Sequence, residues 1–475
     1  MLKMNRTFLL YLFCGIFLAI VTGCGGGGGS GGSGGGQTPP DGQWSDAKEL
    51  TDLAVDDKGT EKPHVAMNAS GEAIVVWEQR DSGGKQKIFR AEYRDGAWTS
   101  PVQVSSSATG YSSATSARVA MDASGQAVIV WQQTVGGSKH VFRSDYRNGS
   151  WDPSPTRVSA GTGFIAAVSA QVAMDDNDQA IIVWQQGASG SEKIFRIDYR
   201  GGNWDSTPSK VSTATGSYAA VSAQVAMDDN DQAIIVWRQS DGSDKRILKA
   251  EYRNGSWPTI LYPDDIVNDS LSGDAKDPQV AMAANGEAII VWTQSDGDWS
   301  IYKSEYRKGS GSTYSWNRPG LGKFISKKDY DAVNARVAMD DGGQAVIVWD
   351  QLISNGDHKI YRFEYMDGSW PAAGEEDIVS PDGTDAEAPQ VAMGDNGRAI
   401  IVWTQKDDAA GDHHVFRSQR LQGKWKDPAD LSEYISLEGK EAGQGRVAMN
   451  SGGRAVVVWR QFEDSNNRIY CSEYR

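Results

Sequence analysis

The sequence predicts an all-β fold built from eight four-stranded units closed into a ring, on three observations. A Val-Ala-Met segment, a short turn and an Ala-Ile-Val-Val-Trp-like run recur eight times, with the run's tryptophan at 77, 131, 184, 237, 292, 349, 403 and 459, spaced 53 to 57 residues apart. A second tryptophan follows in seven repeats, at 98, 151, 204, 257, 316, 370 and 425, while the eighth repeat ends at Arg475 without one. The missing member stands at the other end: Trp44 lies 20 residues before His64, as Trp98 lies 20 before Arg118. Four-stranded units of this length, with the last one completed by an N-terminal strand, describe an eight-bladed β-propeller.

Each strand has its own reason. Strand A carries Val-Ala-Met, as in Val65-Ala66-Met67. Strand B is a continuous apolar run, Ala73 to Trp77, short enough for a strand buried on both faces. Strand C has the form Ile88-Phe89-Arg90-Ala91-Glu92-Tyr93-Arg94. Strand D carries the second tryptophan, and Asn148-Gly149, Asn254-Gly255 and Asp367-Gly368 before it are type I′ hairpin signals. Pairing the N-terminal strand with the last repeat removes both free edges. With Trp44 counted, two positions per repeat take 16 of the 17 tryptophans, and only Trp299 is extra.

Composition bounds the function. The chain has 475 residues, 39% of them hydrophobic, and a net charge of −15, which disfavours nucleic acid as a partner. Three cysteines cannot build a disulfide framework.

Residues 1–23 read as a signal peptide: Lys3 and Arg6 precede an apolar stretch from Phe8 to Val21, too short to span a bilayer comfortably. It ends in Val21-Thr22-Gly23-Cys24, which resembles the lipobox of bacterial lipoproteins. That resemblance implies cleavage before Cys24, a diacylglycerol on its thiol and an acyl chain such as palmitate on its amine, hence a partner in the membrane and a location in the cell envelope. Gly25 stands where an Asp would favour inner-membrane retention, so the resemblance implies the outer membrane in a Gram-negative cell. Residues 24–40, the lipidated Cys and its Gly/Ser-rich continuation, form a tether reaching roughly 20–25 Å. Residues 41–475 form the propeller, and their pattern is similar to that of uncharacterised bacterial propeller lipoproteins. The Asp-box of sialidase-like proteins and the Trp-docking motif of quinoprotein dehydrogenases are absent, so no cofactor is expected.

Alternating strand direction puts the variable B–C and D–A loops on one face and the tight A–B and C–D turns on the other. Variable loops on a rigid ring are where binding is built, so the B–C/D–A face is the expected working surface. At its centre, the residue before each Val-Ala-Met is polar: His64, Arg118, Gln171, Gln224, Gln279, Arg336, Gln390 and Arg446. This ring has two readings. It solvates a wet channel and bridges blades, or it binds a carboxylate or sugar, with Arg446, His64 and Arg118 as an adjacent cationic arc whose histidine titrates near pH 6.5 if unperturbed.

Other recurrent polar residues read as architecture. The glutamine two places after each strand-B tryptophan, as in Gln79, is placed to tie off loop backbone, and the strand-C Arg and Glu read as inter-strand charge pairs. Acidic turns such as Asp175-Asp176-Asn177-Asp178 fit turn chemistry, and no metal is assigned. Glu78, Asp277 and Asp350 are non-repeating acids near the working face, and no Ser/His/Asp or Cys/His signature stands out. The expected function is a non-enzymatic, lipid-anchored scaffold recognising a protein or glycan. The alternative is a carbohydrate-active enzyme, a glycosidase or lyase, working at the channel mouth.

Overall fold

The computed structural model describes residues 42–475 except 52–58, 160, 162–164, 213–217, 241, 259–264, 269–272, 309–313, 318, 320–322, 373 and 408–410. The expected signal peptide, Cys24 and the expected tether lie outside the described residues. Eight separate antiparallel sheets form the eight blades. Blade 1 has strand A at Glu61–Met67, B at Ala73–Arg80, C at Gln86–Arg94 and D beginning at Ala97–Trp98. Each A strand contacts the A strands of the two neighbouring blades, and those of blades 8 (Ala442–Met449) and 1 contact each other. The A strands therefore encircle a central channel.

Strand B lies between A and C and is covered on both sides by adjacent blades, which is why its run is apolar throughout. All eight strand-B tryptophans are at most 1% exposed. Burying one such side chain removes about 150–250 Å² from water, an upper-bound gain of about 4–6 kcal/mol. The cores sit between blades. Val76 and Ile88 of blade 1 pack with Val119 and Trp131 of blade 2, and Val456 and Ile469 of blade 8 pack with Val75 and Trp77 of blade 1. Buried Cys471 belongs to that last core, where burial pushes its thiol far above the ordinary range.

The N-terminal segment joins blade 8: Lys48–Glu49 pairs with Cys471 and Tyr470, and Trp44 bridges to Tyr474. Asn148-Gly149, Asn254-Gly255 and Asp367-Gly368 all have positive φ at both positions, as type I′ requires. Strand D is more broken than its tryptophan suggests. In blade 1 it pairs at Ala97–Trp98 and again at Val102–Gln103, and in blade 3 at Asn203–Trp204 and Ser209–Lys210. Pro101 and Pro208 stand in the gaps. Proline has no N–H to give the ladder, and only an outer edge strand tolerates that.

Strand A carries a β-bulge at one place in every blade, two residues before the ring position. Lys62, Ser116, Ser169, Ser222, Asp277, Asn334, Ala388 and Gln444 all have φ between 53° and 58°. Only Asp277 and Asn334 are of types that favour a left-handed conformation; Lys62, the serines, Ala388 and Gln444 do not announce it.

Candidate functional site

The bulge sets the ring. The residue that follows each bulge, from His64 through Arg446, resumes pairing with strand B and is half-exposed in the channel region. Each arginine of the ring donates one guanidinium N–H to the carbonyl just before it: Arg118 to Ala117, Arg336 to Ala335 and Arg446 to Gly445, all at 2.8 Å. Gln390 does the same to Pro389 at 2.7 Å. Part of the ring's work is therefore to solvate strand-A backbone. His64 reaches the next blade, its Nδ1 accepting from the Val119 amide at 3.5 Å.

Electrostatics revise the expected arc. Burial, with Arg118 and Arg446 on either side, holds the His64 imidazole well below its ordinary value. His64 is neutral through the physiological range, so the pH signature expected near 6.5 does not arise from it. Arg336 is coupled into the set instead. Burial lowers Arg118, with Arg336 adding to the effect, and pushes Arg446 down to about 10, with Arg118 and Arg336 adding. Arg118 and Arg336 stand in blades 2 and 6, on opposite sides of a ring of eight. The charge is a trio spanning half the ring, not an arc of three adjacent blades.

The residue after the strand-B tryptophan clamps the bulge of the next blade in three of the blades. Glu78 accepts the Ser116 N–H at 2.7 Å, Gln132 that of Ser169 at 3.3 Å and Gln185 that of Ser222 at 3.2 Å. Asp350 holds the corresponding place in blade 6. It is 3% exposed, its Oδ1 has no partner, and burial raises its carboxyl to about 6. Glu78 is also raised by burial, against the Ser116 amide and Lys62. Asp277 and Asp350 both face Arg336 electrostatically, whereas Glu78 acts on Arg118. The non-repeating acids are thus divided, Glu78 standing with Arg118 and Asp277 and Asp350 with Arg336.

The structure brings together one set that the sequence does not single out. His414 Nδ1 lies 3.1 Å from Ser436 Oγ, and its Nε2 lies 3.2 Å from Asp407 Oδ2. The spacing resembles a nucleophile–base–acid chain, but the setting does not. His414 is fully buried and stacks on Tyr434, while Ser436 Oγ accepts the Val415 N–H. Ser105, Ser159 and Ser380 accept the equivalent amides in other blades. The recurring Val-Ser or Ile-Ser pair after strand D is the sequence signal for this anchor.

The conserved geometry of the repeats accounts for the other polar positions. Each strand-B tryptophan donates its indole N–H to the glutamine two residues on, as Trp77 does to Gln79 at 3.0 Å. That amide then holds the D–A loop, as Gln351 does through the carbonyls of Lys327 and Tyr330. The strand-C charges pair mainly along their own strand and reach the next blade, while Arg362 also makes the expected inter-strand pair, with Asp377 of strand D at 3.1 Å. Arg90 binds Glu92 at 2.9 Å and stacks over Trp151 of blade 2, whose indole N–H Glu92 accepts at 2.7 Å.

The opposite face differs in charge. Its A–B turns enclose a vestibule of about 190 Å³ that includes Asp176, Asp229, Asp341 and Asp395. Burial and the neighbouring acids raise Asp341 to about 6. Asp176 nevertheless caps the Ala123 amide of the preceding blade, which is turn chemistry. Among the described residues no group of three or more His, Cys, Asp or Glu side chains is placed to hold a metal.

Exposed large apolar side chains are distributed unevenly. Ile165, Tyr218, Tyr330 and Phe462 are 36–52% exposed, the first three in D–A loops and Phe462 at the B–C end of strand B in blade 8; the others among the described residues, Val102 and Ile378, lie on outer D strands. Among the described residues the tight-turn face carries none.

No protein-family model and no curated protein matches the chain. Solved structures that resemble it include a polysaccharide lyase described as an ulvan lyase, at 11% identity over 89% of this chain and 94% of that one, with a TM-score of 0.44. The β-propeller domain of the Trilobed protease from Pyrococcus furiosus matches at 10% identity over 81% and 99%, with a TM-score of 0.44. A protein of unknown function from Dyadobacter fermentans matches at 12% over 80% and 99%, with a TM-score of 0.39. Likenesses this distant carry no argument about activity.

Proposed function

We propose that this chain is a lipid-anchored binding scaffold of the cell envelope that engages a protein or glycan through its B–C/D–A face. The carrying observation is that Ile165, Tyr218, Tyr330 and Phe462 are exposed on the same face as the ring of eight polar side chains. Apolar side chains rimmed by polar groups on a rigid frame are the composition of a recognition surface. The lipobox-like Val21-Thr22-Gly23-Cys24 and the Gly/Ser-rich segment after it support acylation at Cys24 and a propeller held clear of the membrane, at the outer membrane in a Gram-negative cell.

A second reading, a carbohydrate-active enzyme, is favoured by one observation. Asp350 is a buried carboxyl raised to about 6 beside the channel mouth, a value suited to proton transfer. Its electrostatic neighbours include Glu387 and Arg336, and the exposed apolar side chains on the same face favour binding as the leading role.

The test is a glycan array and an envelope pull-down with the full-length chain in detergent, wild type against a Tyr218→Ser/Tyr330→Ser/Phe462→Ser variant. The proposal expects capture that the triple variant loses while remaining folded. Equal capture by a folded triple variant would refute it, and turnover of a captured glycan that Asp350→Asn abolishes would establish the enzyme instead.

A further inference from the structure

We propose that the channel mouth is an oxyanion site in which Arg118, Arg336 and Arg446 together hold one carboxylate or sulfate group near the channel axis. The proposal rests on the reading of the B–C/D–A face as the binding face and names the chemistry that face selects.

Ring position carries the first part of the argument. Arg118 and Arg336 face each other from blades 2 and 6, and Arg446 in blade 8 stands midway between them. Gln390 of blade 7 and His64 of blade 1 fill the two intervening places. Because His64 Nδ1 accepts the Val119 amide, its proton sits on Nε2, and the imidazole presents a donor. This half of the ring therefore offers guanidinium, imidazole and amide N–H groups. The half from blade 3 to blade 5 offers only the amides of Gln171, Gln224 and Gln279.

Unpaired charge carries the second part. Six strand-C cations, Arg90, Arg143, Arg196, Lys249, Lys303 and Arg362, each have a carboxylate partner, and the seventh, Arg417, stacks over the Trp44 ring. Among the described residues Arg118, Arg336 and Arg446 form no ion pair, and their one described hydrogen bond each goes to a neutral backbone carbonyl. Glu78 moderates Arg118 from a distance, and Asp277 with Asp350 moderates Arg336, whereas Arg118 and Arg336 are the charges that act on Arg446. Like charges gathered in a partly buried ring repel one another and are poorly solvated. An oxyanion on the axis relieves both penalties at once, and guanidinium matches a two-oxygen anion by paired hydrogen bonds.

The experiment is calorimetric titration of the full-length chain in detergent with sodium sulfate and with sodium glucuronate. Glucose serves as the neutral control, and sodium chloride holds the ionic strength constant. Saturable binding of at least one anion and none of glucose is expected, with Arg446→Gln weakening it by about 10- to 100-fold. Arg446→Lys, which keeps the charge and loses the fork, should fall between the two, and far-UV circular dichroism verifies that both variants are folded. Tighter binding of glucuronate than of sulfate would assign the group to a uronic acid; the reverse would assign it to a sulfate ester.

No saturable binding of either anion, or equal affinity in folded Arg446→Gln, overturns the proposal. Partner capture by the loop face that persists alongside that failure leaves the binding-face reading intact. Anion binding that persists while the triple aromatic variant captures every partner normally would refute that reading and leave the oxyanion site standing.

Discussion

Trp44 packs on Tyr474 with ring centroids 5.3 Å apart, so the first described strand and the last one are fastened by their aromatic side chains. The Trp44 indole also donates to Gln419 of blade 7 at 2.8 Å, and Arg417 lies 4.3 Å from its ring centroid. One side chain therefore holds blade 8 together and joins it to blade 7. Trp44→Ala should cost about 3–5 kcal/mol, the range for large-to-small aromatic truncations. Thermal unfolding checks this, and an unchanged midpoint would mean that the ring is not closed by this strand.

The inter-blade staples make a second prediction. Arg307 binds Glu305 at 2.8 Å and Glu287 at 2.6 Å, donates to the Gly343 carbonyl of blade 6, and stacks 3.6 Å from the Tyr365 ring centroid. Arg307→Ala should destabilise by about 1–3 kcal/mol, because it removes the ion pair of Glu287, one of several partners of Glu305 and the cation on the Tyr365 ring face. Arg307→Lys should recover less than half of that, since an ammonium cannot stack and fork together. Urea unfolding of the two variants gives the comparison.

Asp350 makes stability depend on pH in a defined direction. Its folded value of about 6 lies above the ordinary 3.8. The folded state thus binds the proton more tightly than the unfolded chain, and the group's contribution falls as pH rises from about 4 to 6. Asp350→Asn should match wild type at pH 4 and exceed it by about 2–3 kcal/mol at pH 7.5, from a shift of about two units. Urea titrations at the two pH values measure the difference, and a variant less stable than wild type at pH 7.5 would contradict the assignment.

The bulge yields a fourth expectation. Ala388 sits at φ 54° with no side chain to hydrogen-bond locally. Ala388→Gly should stabilise by about 0.5–1 kcal/mol, because relief of the left-handed strain outweighs the added freedom of the unfolded chain. The denaturation midpoint should rise; a lower midpoint would show that the bulge is not strained at this residue.

Much of this architecture was legible because it repeats. The two tryptophans per unit, the Asn-Gly and Asp-Gly turns and the displaced Trp44 each mark a fixed place in a blade, and period alone locates them. The ring from His64 to Arg446 was legible as a position, since strand A must line the axis. Its charge state was not. The neutrality of His64 and the coupling of Arg336 depend on burial and on distances across the channel, which adjacency in blade order does not convey. The bulge was hidden because Lys62, Ser116 and Ala388 are not residues that signal positive φ. The strand-C arginines were misjudged for a related reason: their ring partners, such as Trp151 for Arg90, lie a full repeat away in sequence and meet them only because blades pack as wedges.

The account rests most heavily on which face of the ring binds. Hydrogen–deuterium exchange of the full-length chain, with and without a partner captured from the envelope screen, tests that directly. Protection should appear in the B–C and D–A loops around Tyr218, Tyr330 and Phe462 and at the start of the A strands from His64 to Arg446, while the turns at Asp176, Asp229 and Asp341 exchange unchanged. Protection confined to those acidic turns would place binding at the opposite mouth of the channel and contradict the account.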